Sequence, residues 1–230
     1  MTDTGLDLDD LGSAARAAIE ILVELVAADP TAPTAVTDPT TVRQVHIADS
    51  LSALAFDELR TASRICDIGS GAGFPGLVLA AALPEAELVL VESVTRKCEF
   101  IREAAAAAEL ANVSVVDDRA ETFALAGPRL FDAVTARAVG RLSTLAELAA
   151  PLLAADGVLV AWKGRRDPEE EAELQRASEQ LAMRPERVCW VGPYAGSENR
   201  HLHLIRKSGP TPGELPRRPG MAKKRPRGRN

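Results

Sequence analysis

The stretch Arg64–Gly76, RICDIGSGAGFPG, decides the fold. Ile65 to Ile68 form a short β-rich apolar run around Asp67, and Gly69, Gly71, Gly73 and Gly76 follow at once. An apolar run closed by such a cluster reads as a buried strand entering a tight turn, with Pro75 pre-set for the first turn of the next helix. Glycines at 69, 71 and 73 remove side chains and permit positive φ, so N–H groups at the helix start can face something polar or anionic. A bare strand-to-helix turn needs far fewer glycines than this.

Two ligand classes compete for the loop. Gly71, Gly73 and Gly76 spell G-x-G-x-x-G, which in a dinucleotide fold brings a pyrophosphate onto the helix N-terminus. Asp67, two residues before Gly69, shifts the balance, because D-I-G-S-G-A-G resembles the glycine loop of class I S-adenosylmethionine-dependent methyltransferases. That cofactor carries an ammonium, a sulfonium and a carboxylate but no phosphate, so a strand-end carboxylate suits it, whereas beside a pyrophosphate it would repel. The missing Gly-Lys-Ser/Thr ending excludes a phosphate loop.

Working outward, Glu87–Val91, Val113–Val116, Phe131–Thr135 and Val158–Trp162 read as further strands, with helical stretches at 77–83, 95–111, 141–153 and from Asp167 to Leu181. Arg187–Val191 and His201–Arg206 adjoin across a loop too short for a helical crossover, so they must pair antiparallel. In a doubly wound sheet, ligands lie outside the carboxyl ends of the strands. Glu92 is therefore placed for both ribose hydroxyls of an adenosine, and Asp118 to Glu121 for the adenine. Arg137 is placed to hold a carboxylate or phosphate of ligand or substrate, or to serve as an ordinary ion-pair partner. Upstream, residues 13–28 carry Ile19, Leu22, Val23 and Val26 at helical spacing, and a second helical stretch from Thr40 carries Val42, Val45, Leu51 and Leu54. These make residues 1–60 an N-terminal helical cap on a core spanning 61–207. His46 and Asp49 share a helix face and could line a target pocket, or could simply serve as a helix cap or an ion pair with Arg43.

The chain has 230 residues, 46% of them hydrophobic, which supports one sizeable core. No apolar run approaches the roughly 18 residues of a membrane span, and MTDTGLDLDD is acidic where a secretory signal would be basic, so a cytoplasmic protein is expected. Cys66, Cys98 and Cys189 are scattered, suggesting neither disulfide nor zinc site, and His201 and His203 lack companions, so no metal is expected. From Arg206 onward there are nine basic residues and one acid, a balance of +8 within a net charge of −6. An acidic body with a basic end points to a polyanionic partner. Residues 208–230 are rich in Pro, Gly and basic groups, and are expected to be extended or mobile. Arg217, Arg218, Lys223, Lys224 and Arg225, with Lys163 at the fifth strand's end, are candidates for RNA phosphates. On this reading, deleting the tail weakens RNA affinity and leaves cofactor binding intact.

HIADSL (His46–Leu51), CDIGSGAGFPGL, FDAVTARAV, the WKG at 162–164 and the proline-flanked basic end together resemble the bacterial 16S ribosomal RNA guanine-N7 methyltransferase family, also called glucose-inhibited division protein B. The resemblance implies an α/β class I methyltransferase fold with a Rossmann-like, seven-stranded, mostly parallel sheet. It also implies S-adenosyl-L-methionine as cofactor and, as target, one guanine in the decoding region of 16S rRNA, free or in the small ribosomal subunit, with a monomer as the default. Carried over by position, the family's cofactor contacts fall on Gly69, Phe74, Ala120, Glu121 and Arg137, and Glu92 matches its acidic position. Guanine N7 has a free lone pair and no proton to lose, so His46, Asp49, Arg137 and Lys163 are expected to shape a target pocket, and none is assigned as general base. A class I methyltransferase acting on a small molecule or protein, and a nucleic-acid-binding module on an inactive fold, remain as rivals.

Overall fold

The computed structural model describes residues 8–127 and 130–229, so the first seven residues of the expected cap, Pro128, Arg129 and Asn230 lie outside it. Helix α1 (Ser13–Ala28) buries Ile19, Leu22, Val23 and Val26, the four positions its spacing predicts. The second helical stretch is uneven: α2 (Pro39–Val42), a π-helical turn at Arg43–Ala48, α3 (Asp49–Leu51) and a 3-10 turn at Ser52–Ala55 follow without a break, and an extended Phe56 separates them from α4 (Asp57–Arg60). Asp38 caps its start by accepting the Thr41 N–H at 2.8 Å. Val45, expected inward, is only half-buried, because the wide π-helical turn holds it at the rim of a cavity.

Seven strands then form one sheet: β1 (Arg64–Ile68), β2 (Glu87–Glu92), β3 (Val113–Asp117), β4 (Phe131–Arg137), β5 (Leu153–Lys163), β6 (Met183–Val191) and β7 (Arg200–Lys207). Their order is β3-β2-β1-β4-β5-β7-β6. The first five run parallel, and β7 lies between β5 and β6, antiparallel to both. Between strands come α5 (Gly76–Ala82), α6 (Thr95–Ala107), α7 (Ala120–Leu125), α8 (Leu142–Ala149) and α9 (Pro168–Leu181), and α10 (Met221–Lys224) lies in the C-terminal segment. Alternate residues of each central strand serve two cores. Ile65, Leu88, Leu90 and Val160 face the cap, α5 and α6. Cys66, Val89, Val134 and Leu159 face α8 and α9. A sheet covered on both faces needs strands that are apolar throughout, which is why these read as continuous hydrophobic runs rather than alternating ones.

Several boundaries differ from the pattern. Helix α8 stops at Ala149 rather than continuing to 153, because β5 begins at Leu153 and takes in the Asp156-Gly157 turn within one long strand. Strand β6 starts at Met183 despite Pro185, which is tolerated where the register shifts on the sheet's edge strand. The short α7 has too little apolar periodicity to announce itself. Among the described residues, no helix is long and apolar enough to cross a membrane.

The C-terminal segment departs most from expectation, since it packs against the body instead of extending away. Leu215 and Ala222 join the core on the α8/α9 side of the sheet. Arg217 lies bidentate on Glu147, and the Thr144 hydroxyl donates to the Ala222 carbonyl at 3.2 Å. Two apolar anchors and one buried ion pair supply what composition alone does not reveal.

One side chain ties the end of α5 to the starts of β2 and β3: the two Nδ2 protons of Asn112 are shared among the carbonyls of Ala80, Leu83 and Ala86 at 3.1, 3.2 and 3.0 Å. Replacing it by alanine is expected to cost about 1–3 kcal/mol by removing a donor shared among these carbonyls, although the Leu83 carbonyl keeps the Ala86 N–H. Urea titration checks this, as a lower midpoint at unchanged slope.

Candidate cofactor and substrate site

Glu92, Arg137 and Lys163 stand at the carboxyl ends of β2, β4 and β5, on the edge of the sheet where the glycine loop leaves β1. The loop is fixed from below. Asp67, fully buried, accepts the Thr135 hydroxyl at 2.7 Å through Oδ1 and the Gly76 N–H at 3.3 Å through Oδ2. Burial pushes its carboxyl up to about 6, and hydrogen bonds from Thr135 and Ser70 limit the rise. Asp67 therefore shapes the loop without lining the cavity. Gly73 also sits behind the surface, at φ +90°, where a Cβ would meet Leu77 at 2.4 Å, so only glycine fits.

Above the loop lies a cavity of about 500 Å³, lined among others by Gly69, Gly71, Phe74 and Glu92. Glu92 Oε2 accepts the Gly71 N–H at 3.0 Å, and Oε1 accepts the amides of Ser93 and Val94 at 2.8 and 3.0 Å. The two amides fill the lone pairs of Oε1, and Oε2, with one bond accepted, retains a lone pair for a ligand hydroxyl.

The opposite wall comes from the cap. His46 stacks on Phe74, with ring centroids 4.7 Å apart and planes 3° from parallel. Arg137 Nη2 approaches His46 Nδ1 at 3.2 Å, and an arginine can only donate, so Nδ1 accepts. The ring proton is then on Nε2, which donates to the Thr34 hydroxyl at 2.9 Å. Burial, reinforced by the Arg137 charge, lowers His46 to about 4, leaving a neutral imidazole with both nitrogens engaged. Arg137 Nη1 donates to the Val45 carbonyl and to Asp49 Oδ2, each at 3.1 Å.

Asp49 is buried behind this wall rather than lining it, and its partners are Arg137 and Arg200, since Arg43 pairs with Glu20. Lys163 does line the cavity, but its ammonium is held by Glu170 at 2.6 Å and the Gly140 carbonyl at 3.0 Å. Ala120 and Glu121 lie outside the cavity lining, and Glu121 Oε1 accepts the Gly220 N–H at 2.8 Å. Arg217 is committed to Glu147, whereas Arg218, Lys223, Lys224 and Arg225 are exposed.

Arg200, Lys97 and Trp162 line the cavity without having been singled out as site residues. Arg200 was within reach of the sequence, because an antiparallel β7 brings its amino end to the carboxyl end of β5, where Lys163 pairs with His201. Lys97 had no signal beyond its position in the first turn of α6.

The family model for rRNA small subunit methyltransferase G matches residues 21–202. The chain belongs to this family. It is 43% identical over 195 residues to ribosomal RNA small subunit methyltransferase G of Rubrobacter xylanophilus, covering 82% of this chain and 74% of that one. The corresponding protein of Limosilactobacillus reuteri is 38% identical over 199 residues, covering 84% and 82%. Among solved structures, the fold resembles precorrin-6y C5,15-methyltransferase from Geobacter metallireducens, with a TM-score of 0.52 and 18% identity over 80% of this chain and 97% of that one. It also resembles Aeropyrum pernix fibrillarin in complex with natively bound S-adenosyl-L-methionine, with a TM-score of 0.55 and 13% identity over 69% and 72%. The chain shares the class I methyltransferase fold with them, and as a member of the rRNA small subunit methyltransferase G family it is S-adenosylmethionine-dependent.

The residues present fit that cofactor. A Cβ built at Gly71 meets nothing nearer than the Gly69 carbonyl at 4.0 Å, so the loop leaves open space there, and Glu92 puts a hydroxyl acceptor beside it. Gly69, Gly71, Phe74 and Glu92 would hold the cofactor. Among the described residues, no group of His, Cys, Asp and Glu is arranged for a metal ion.

Asp67 makes stability fall as pH rises. Between about pH 4 and 6 the native carboxyl keeps a proton that the unfolded chain has released, so its contribution is full below about 4 and lost through about 6. Asp67→Asn removes that dependence: whatever its baseline, the variant should gain on the parent by up to about 3 kcal/mol between pH 4 and 6.5. Denaturant titrations across that range check the slope.

Proposed function

We propose that this enzyme methylates N7 of one guanine in the decoding region of 16S rRNA, as a cytoplasmic monomer acting on the small ribosomal subunit or its RNA. The observation that carries this reading is a cavity whose basic groups are already occupied. His46 is neutral and doubly hydrogen-bonded, and Glu92 is held by three backbone amides. Guanine N7 offers a lone pair and carries no proton, so nothing needs to be removed by a base. Methylation of an exocyclic amine or a ring carbon makes heavier demands. The latter needs a thiolate, and burial pushes Cys66 up and Cys98 to about 11.

The cofactor, when bound, supplies an electrophilic methyl carbon on a sulfonium. The chain contributes position. Gly71 lets the backbone approach closely, Glu92 fixes the ribose, and the His46 and Phe74 rings, stacked on each other, border the cavity where a purine would lie. Holding two reactants in an attacking arrangement is worth several kcal/mol of barrier, roughly 7–11 at the limit. Lys97 and Arg200 at the cavity, with the exposed Arg218, Lys223, Lys224 and Arg225, support a polyanionic substrate over a small molecule.

Borohydride and aniline cleavage of small-subunit RNA should give a strand break at one decoding-region guanine in cells carrying the gene and none in cells without it. An unchanged pattern removes the assignment. In vitro, the rate should be flat from pH 7 to about 9, because no group titrates as a base. Glu92→Gln should weaken S-adenosylhomocysteine binding by about tenfold, a loss near 1.4 kcal/mol, while the fold stays intact by circular dichroism.

A further inference from the structure

The segment after Lys207 touches the turn between β3 and α7, which lies outside the cavity lining but is hydrogen-bonded to Glu92 at the cavity's edge. Arg217 Nε and Nη2 lie 2.5 Å from Glu147 Oε1 and Oε2 on α8, and Glu147 is 2% exposed. Three residues later, Gly220 adopts φ +81° and directs its N–H to Glu121 Oε1 at 2.8 Å. Glu121 lies in the first turn of α7, and the Asp118 N–H just before it donates to the Glu92 carbonyl at 3.0 Å. A continuous series of contacts thus runs from α8 through Arg217, Gly220, Glu121 and Asp118 to Glu92. Helix α7 has six residues, too few to hold its place without tertiary contacts. The family match spans residues 21–202, so Glu92, Asp118, Glu121 and Glu147 lie within it, whereas Arg217 and Gly220 lie beyond it.

We propose that residues 215–222 act as a strut that positions the turn between β3 and α7, and with it the Glu92 edge of the cavity, for the nucleoside end of S-adenosylmethionine. Arg217 and Gly220 are positioning residues that act through Glu121. The proposal rests on the reading above that places the ribose at Glu92. It also reverses the simplest reading of a basic tail, on which its removal would leave cofactor binding intact.

The test uses the full-length Arg217→Ala and Arg217→Lys variants and a chain ending at Gly213, each checked for folding by circular dichroism. Titration calorimetry measures S-adenosylhomocysteine affinity, and hydrogen exchange follows residues 118–125. The expected result is about a fivefold or larger rise in Kd for Arg217→Ala and the shortened chain, partial rescue in Arg217→Lys, and faster exchange in α7. At low salt, the KM for S-adenosylmethionine should rise in Arg217→Ala while that for RNA stays within about twofold, the opposite of what a phosphate contact gives. A Kd unchanged within about twofold overturns the proposal. If α7 exchange nevertheless quickens, the fault lies in the placement of the nucleoside; if exchange is also unchanged, there is no strut. Should the shortened chain fail to fold, Arg217→Ala decides the matter.

Discussion

A single buried carboxylate joins the cap to the sheet. Asp49 is 0% exposed and meets Arg137 from the end of β4 at 3.1 Å and Arg200 from the start of β7 at 3.4 Å. Its backbone carbonyl accepts the Trp162 indole N–H, from the end of β5, at 2.8 Å. One cap residue therefore touches three strands. Burial raises the Asp49 pKa more than the two guanidiniums lower it, so the cluster carries a desolvation cost and is a poor source of net stability. Its contribution is geometric: it fixes the Arg137 guanidinium against His46, 6.0 Å from the centre of the Phe74 ring, and so sets one wall of the cavity.

Depth divides the labour among the carboxylates around this site. Asp67 lies under the glycine loop, where its hydrogen bonds to Thr135 and Gly76 define the path of the chain and where desolvation raises its pKa. Glu92, one strand over and at the cavity, is satisfied by backbone amides and keeps acceptor capacity for a ligand. The same logic leaves the site without a free base, in keeping with a nucleophile that needs none.

How much of this was legible follows from the range of each signal. The strand, glycine loop and Glu92 are local patterns, and the architecture follows from periodicity plus the short link that forces β6 and β7 to pair antiparallel. His46 and Arg137 were identifiable as residues, but their mutual contact joins positions 91 apart and depends on how a π-helical turn aims the ring. Helical spacing puts Asp49 on the same face as His46, but spacing reports direction and not burial, and Asp49 is 0% exposed behind the cavity wall. Glu121 was assigned to the cofactor by position, while its visible partner, Gly220, lies 99 residues away, beyond the reach of any sequence window.

The C-terminal segment shows why a count of charges misleads. Its balance of +8 with Arg206 and Lys207 suggests a free polycation, yet several of those charges are already spent within the fold. Arg206 pairs with Glu58 and Glu186, Lys207 donates to the Leu153 carbonyl, and Arg217 lies on Glu147. Arg227 reaches Glu214. Arg218, Lys223, Lys224, Arg225 and Arg229 remain exposed. A tail held by Leu215, Ala222 and Arg217 displays those five on a fixed surface, so a phosphate backbone meeting them would lose less ordering entropy than with a mobile arm. The paired residues that look least like nucleic-acid ligands are thus the ones that give the exposed cations a defined position relative to the cavity.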